Sequence, residues 1–132
     1  MSIENLIKEF LRKDNTFAVV GVSRNPEKYG YKVYAELKKA GYLVYPINPS
    51  TSKILGDKCY PSLSALPCIP DVVDVVVPPK ITERIVRECK RLGIKKVWMQ
   101  PGAESSKAIE FCRENNINVL HGICVLNNLN DL

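Results

Sequence analysis

Apolar residues at Ile3, Leu6, Ile7, Phe10 and Leu11 fall at i, i+3, i+4, i+7 and i+8. That is the spacing of one helix face, and Ser2 stands ready as its N-cap. The pattern then changes. TFAVVGV (16–22) is apolar without alternation, as a strand covered on both faces should be. From Tyr31 to Ala40 the period is helical again, with Val33, Leu37 and Ala40 on one side and Gly41 as the stop. YLVYPIN (42–48) is a second strand, stopped by Pro46 and Pro49. STSKILGDKCYPSLSALPCIP (50–70) has no period; Gly56, Pro61, Pro67 and Pro70 mark it as loop and short turns.

Beyond it the alternation resumes. DVVDVVVPP (71–79) is a third buried strand. ITERIVRECKRLG (81–93) is a helix with Ile81, Ile85, Cys89 and Leu92 as its expected inner stripe. KKVWMQ (95–100), SSKAIEFCRENN (105–116) and INVLHG (117–122) read as strand, helix and strand, with Ala108, Ile109 and Cys112 inward. The tail from Ile123 to Leu132 is read as a short turn or helix. Repeated strand–helix units require parallel strands and right-handed crossovers. The expectation is a single α/β domain over 1–132: a doubly wound, Rossmann-like five-stranded parallel sheet with helices on both faces and an extra N-terminal helix. The expected strand order is 3-2-1-4-5.

Composition narrows the function classes. No apolar run approaches the roughly 20 residues that span a membrane. The N-terminus has acids and amphipathic spacing unlike a signal peptide, so a cytoplasmic protein is expected. A net charge of +5 and a pI near 9.0 favour acidic ligands, but the cations are dispersed. The dense run RECKRLGIKK (87–96) reads as a solvated helix end, where cations suit the helix dipole. Neither nucleic acid nor membrane is expected as a partner. Five cysteines without a C-x-x-C pair, and one histidine, make a zinc site unexpected. Cys89 and Cys112 read as buried small side chains, Cys59 and Cys68 as more exposed; a disulfide stays open.

In a doubly wound sheet, ligands bind beyond the carboxyl ends of the strands. The loop after the first strand, GVSRNPEKYG (21–30), keeps Gly21 for a tight turn but lacks the G-x-G-x-x-G pattern. Ser23 offers a hydroxyl, the following helix start offers N–H groups, and Arg24 and Lys28 add charge suited to phosphates. PINPSTSK (46–53) carries no acid to hold a ribose 2′-hydroxyl. It has Pro46, Asn48 and Pro49 as a stiff surface for a purine, and Lys53 as a further cation. Val77 and Pro78 line an apolar stretch. Gln100 is a polar contact, and Gly102 allows close backbone approach. His121 and Cys124 end the set. No serine–histidine–acid spacing is evident, so no catalytic residue is assigned. Asp71 and Asp74 read as lying at the start of the third strand, away from the site.

The pieces VVGVSRNPEKYGYKV, GYLVYPINP, YPSLSALP, VDVVVPP, VWMQPGA and NVLHGIC, in that order, run from about Thr16 to Cys124. Together they resemble the stand-alone CoA-binding Rossmann proteins, which are similar to the N-terminal domain of the succinyl-CoA synthetase α chain. The resemblance implies coenzyme A or an acyl-CoA as ligand. Ser23, Arg24 and Lys28 would contact its phosphates. Pro46, Asn48 and Pro49 would lie by the adenosine, and Val77 and Pro78 by the pyrophosphate and pantetheine. Gln100 to Gly102 would lie further along. The synthetase phosphohistidine has no counterpart in His121, and Lys53 matches the synthetase lysine only with a gap. The leading expectation is a non-catalytic binding or regulatory module, possible as a homo-oligomer or with a protein partner. The alternatives are a subunit of a CoA-thioester enzyme that needs a partner chain, and an NADP-binding protein.

Overall fold

The computed structural model describes residues 2–129. The expected tail therefore falls partly outside the described residues. Its described part contains a 3₁₀ turn at Val125–Asn127. The chain order is α1 (Ile3–Phe10), β1 (Thr16–Val20), α2 (Tyr29–Lys39), β2 (Leu43–Ile47), β3 (Lys53–Ile54), β4 (Asp57–Lys58), β5 (Val72–Val75), α3 (Pro79–Leu92), β6 (Lys96–Met99), α4 (Ser106–Glu114) and β7 (Asn118–His121). Ser2 caps α1 as its position suggests: its Oγ accepts from the Asn5 amide at 3.2 Å.

The five main strands are parallel, and their order is β2-β1-β5-β6-β7. In terms of the five expected strands this is 2-1-3-4-5, not 3-2-1-4-5. The third strand pairs with the first, not the second. Pro46 supplies a physical reason. It lies inside β2, opposite Val19 of β1. Proline cannot donate to a ladder and is confined to edge strands, whereas the expected order would have put β2 second in the sheet with neighbours on both sides. The outer side of β2 instead meets a short strap. The Tyr60 amide donates to the Pro46 carbonyl at 3.0 Å, and the Asn48 amide donates to the Tyr60 carbonyl at 2.9 Å. The chain then returns past β1, and β5 is stitched in beside it: the Thr16 amide donates to Asp71 Oδ2 at 2.8 Å and the Asp71 amide to the Thr16 carbonyl at 2.9 Å.

The sheet divides two apolar layers. On one face, α1, α2 and the C-terminal segment cover Phe17, Val19, Val44, Val72, Trp98 and Leu120. Phe10 of α1 meets the Trp98 ring edge-on at 5.9 Å, and Trp98 Nε1 donates to the Ile123 carbonyl at 2.9 Å. This explains why the leading helix and the tail dock on the same layer. On the other face, α3, α4 and a 3₁₀ turn at Leu63–Ala65 cover Ala18, Val20, Ile47, Val73, Val75 and Val97. The inner side of α3 is centred one residue later than its spacing suggests. Thr82, Val86 and Cys89 are buried, while Ile81 and Ile85 stay half-exposed at its rim. Cys59, expected to be more exposed, is buried; Cys68 is exposed, and all five cysteines are free thiols.

The irregular segment between β2 and β5 is anchored rather than loose. β3 and β4 form a small antiparallel hairpin. Asp57 receives hydrogen bonds from Tyr34 and Lys38 of α2. Those donors hold the Asp57 carboxyl below its usual range, and the buried Tyr34 hydroxyl is pushed up by desolvation and by the same carboxylate.

Candidate functional site: a cleft at the carboxyl ends of the strands

Strand order reverses between β1 and β5, and a cleft of about 470 Å³ opens there. Its volume is within the usual range for small-molecule sites. One wall comes from the ends of β1 and β2 and the segment after them: Val20, Gly21, Ile47, Asn48, Pro49 and Pro61, with Ser62 and Leu63. The facing wall comes from Val77 and from one side of α3, where Ile81, Arg84, Ile85 and Glu88 are successive steps of a helix face. The cleft is thus an apolar slot with a few polar groups.

Two glycines shape its inner end. Gly21 has φ +104°, and a Cβ there would sit 2.2 Å from the Val76 carbonyl oxygen. Gly30, in the first turn of α2, packs its Cα against the same turn; a Cβ on it would sit 2.3 Å from the Gly21 carbonyl oxygen. Gly30 therefore allows the close helix–strand approach that the last glycine of a dinucleotide fingerprint allows. It lies nine positions after Gly21 rather than five. Spacing alone concealed this role.

The loop between these glycines is preformed. Ser23 Oγ accepts from the Asn25 amide at 3.0 Å, and Asn25 Oδ1 accepts from the Glu27 amide at 3.0 Å. Asn48 Nδ2 donates to the Val22 carbonyl at 2.7 Å, and its Oδ1 accepts from the Ser50 amide at 2.7 Å. Asn48 thus joins the first and second strand-end loops. Helix α2 begins at Tyr29 with Lys28 as N-cap; no side chain caps it and its first turn has no acid. Such an end favours an anion. Arg24 and Lys28 are exposed beside it.

Of the residues singled out from the sequence, Gly21, Asn48, Pro49 and Val77 line the cleft. Ser23, Arg24 and Lys28 lie on the adjoining loop. Pro78 is the exposed N-cap of α3, just past Val77. The other four lie elsewhere. Pro46 alternates with Ile47 and borders a separate groove beside Tyr34 and Lys38 of α2. Lys53 is exposed on the hairpin. Gly102 lies in an exposed turn with φ +95° and open space where a Cβ would go; its amide donates to Glu104. Gln100 is fully buried.

Gln100 belongs to a polar chain that sequence reasoning missed. Its Nε2 donates to Asp74 Oδ1 at 2.6 Å. Its Oε1 accepts from the Tyr29 hydroxyl and from the Val125 amide, each at 2.9 Å. The Tyr29 hydroxyl also meets Cys124 Sγ. The expectation that Asp74 sits at a strand start is corrected: it is the third residue of β5 and fully buried. Its Oδ2 has no hydrogen-bond partner among the described residues. Burial pushes its carboxyl up to about 7, with the Gln100 hydrogen bond acting against that shift. The chain ties the first turn of α2 to the middle of the sheet and to the C-terminal segment. A lone Asp within VVDVVV was the available signal, since an acid inside a buried strand needs a partner.

A family model described as a CoA binding domain matches residues 15–130. This chain belongs to that family. Coenzyme A is the ligand that membership in the CoA-binding domain family supports. The chain is 41% identical over 80 residues to the acetate–CoA ligase [ADP-forming] II of Archaeoglobus fulgidus, a stretch covering 59% of this chain and 12% of the ligase. It is 38% identical over 81 residues to the α subunit of the acetate–CoA ligase [ADP-forming] II of Pyrococcus furiosus, covering 61% of this chain and 18% of that subunit. The CoA-binding domain thus spans a small fraction of these relatives' length. Among solved structures, a hypothetical protein from Pyrococcus horikoshii OT3 superposes with a TM-score of 0.91 at 32% identity, covering all of this chain and 92% of that one. No helix among the described residues is long and apolar enough to cross a membrane.

Proposed function

We propose that this chain holds coenzyme A or an acyl-CoA in the cleft between β1, β2 and β5, as a binding module that acts together with another protein. The observation that carries the reading is the pairing of two features in one place. The apolar slot lies against the Gly21–Gly30 turn, and that turn leads into an α2 N-terminus without a cap or an acid. An adenine ring suits the slot between Pro49 and Pro61 on one side and Val77, Ile81 and Ile85 on the other. The pyrophosphate suits the N–H groups at the start of α2, with Arg24 and Lys28 beside it. The acid-free tip of β2 favours a ligand with a phosphorylated ribose over NAD.

Two considerations support a role in binding rather than chemistry. The polar groups on the cleft wall are Asn48, Ser62, Arg84 and Glu88. Among the described residues none of these forms the nucleophile–base hydrogen bond that covalent catalysis needs. The two ligase relatives are several times longer than this chain, and one carries the name of a subunit. Those names also support a second reading, a subunit that contributes the CoA site to a thioester-forming enzyme.

Thermal unfolding in the presence of CoA, dephospho-CoA, NAD and NADP tests the ligand. At 100 times its Kd, a ligand specific to the folded state adds about 2.7 kcal/mol of stability. CoA is expected to give this shift and NAD none. A shift with NADP but not with CoA would overturn the reading.

A further inference from the structure

We propose that Arg84 reads the phosphate on the ligand's ribose, and so makes the site prefer CoA to dephospho-CoA. This rests on the CoA reading above and adds to it the residue that sets phosphate specificity. The sequence offered Arg24, Lys28 and Lys53 as candidate cations, but none of them lines the cleft. Lys53 projects from the β3–β4 hairpin, and Arg24 and Lys28 stand on the loop leading into α2. Arg84 is the cation on the cleft wall among the described residues.

Its position follows from helix geometry. Ile81 and Ile85 give α3 an apolar edge against the slot, and Arg84 falls between them at i+3 from Ile81. A guanidinium at that point sits beside whatever the slot holds. Glu88, one turn later, shares the wall, but its carboxylate is engaged by Arg91 Nη2 at 3.4 Å. Arg84 itself forms no ion pair or side-chain hydrogen bond among the described residues.

The site therefore has two anion-favouring features, one beside the slot and one on its wall. One is the uncapped start of α2 beyond Gly21; the other is Arg84. A ligand that fits both carries a flat apolar ring on a sugar that bears two anionic groups. An adenosine with a 5′-diphosphate and a further ribose phosphate has that form. Arginine suits the second group because its planar fork can give a phosphate two parallel hydrogen bonds. Without ligand the side chain is exposed and costs the fold little.

Calorimetric titration of the wild type, Arg84→Gln and Arg84→Lys with CoA and dephospho-CoA tests this. The wild type is expected to bind CoA at least about tenfold more tightly than dephospho-CoA, the scale of one hydrogen bond to a charged group. Arg84→Gln should bind both as the wild type binds dephospho-CoA. Arg84→Lys should keep part of the preference. An unchanged melting temperature of ligand-free Arg84→Gln checks that the variant folds.

Three results would overturn the proposal while leaving CoA binding intact. They are equal affinity of the wild type for both ligands, a preference retained in Arg84→Gln, and equal weakening of both ligands in that variant. Absence of CoA binding by the wild type would instead remove the CoA reading, and this proposal with it.

Discussion

Asp74 is the residue at which local chemistry and global packing conflict most. A carboxyl with no exposure and one unpartnered oxygen is costly as an anion. Its folded pKa is raised from 3.8 to about 7. Below about pH 4 both folded and unfolded chains carry the proton, and the folded state incurs no charge penalty. Between about pH 4 and 7 the unfolded chain releases the proton while the folded one retains it, so stability falls as pH rises. Above about 7 the dependence ends. Asp74→Asn keeps an oxygen for Gln100 Nε2 and removes the charge. Its unfolding free energy, measured by urea titration from pH 4 to 8, should decline less than that of the wild type. Parallel curves would show that Asp74 is not the source. Comparing the two proteins also cancels Asp57, whose carboxyl is shifted the other way.

At the scale of elements, the join between β1 and α2 is the critical one. It has two demands: a turn tight enough for φ +104° at Gly21, and a helix backbone close enough to touch that turn at Gly30. Gly30→Ala forces a Cβ into a backbone carbonyl, which no rotamer change relieves. A loss of roughly 1–3 kcal/mol is expected, the usual range for overpacking. The displaced α2 start should also weaken CoA beyond what stability explains, read by titration well below the variant's melting temperature. Gly41→Ala, where no atom lies within 4 Å of the added Cβ, is the control. Its positive φ makes an alanine there strained as well, but it has no part in the cleft, so it should lose stability without losing affinity. Equal affinity loss in both would sink the idea that close approach at Gly30 shapes the site.

Across the whole molecule, the sheet is the rigid frame and the β3–β4 hairpin an attachment. β1, β5 and β6 are each flanked on both sides and buried on both faces. The hairpin is two residues per strand, and its anchors to α2 include the half-exposed Lys38–Asp57 pair. Exposed ion pairs contribute little. Hydrogen exchange should therefore be slowest in the three central strands and fast at Lys53–Lys58. Hairpin amides protected as strongly as those of β5 would contradict this ordering. CoA in the cleft should slow exchange at the start of α2 and in the segment around Pro61 to Leu63, which closes one wall.

Much of this protein is legible without coordinates. Mainly apolar stretches without alternation within 16–22, 71–79 and 95–100 specify buried parallel strands, because only strands covered on both faces lack alternation. The helical periods at 3–11, 81–93 and 105–116 specify the layers that cover them. The loop chemistry of Gly21 to Lys28, and the lack of an acid after β2, point to a phosphate-bearing ligand from residue types alone. What the sequence leaves undecided is lateral. Period and propensity say that a strand is buried, not which strand lies beside it. Pro46 carried a clue to the edge position of β2, but only pairing turned it into an order. The same holds for the site. Arg84 enters it, and Gly30 shapes the turn beside it, because α3 and α2 pack at particular angles to the strand ends, and Gln100 leaves it because its side chain turns to the other face, toward Asp74. Such meetings join residues tens of positions apart, and close packing decides them.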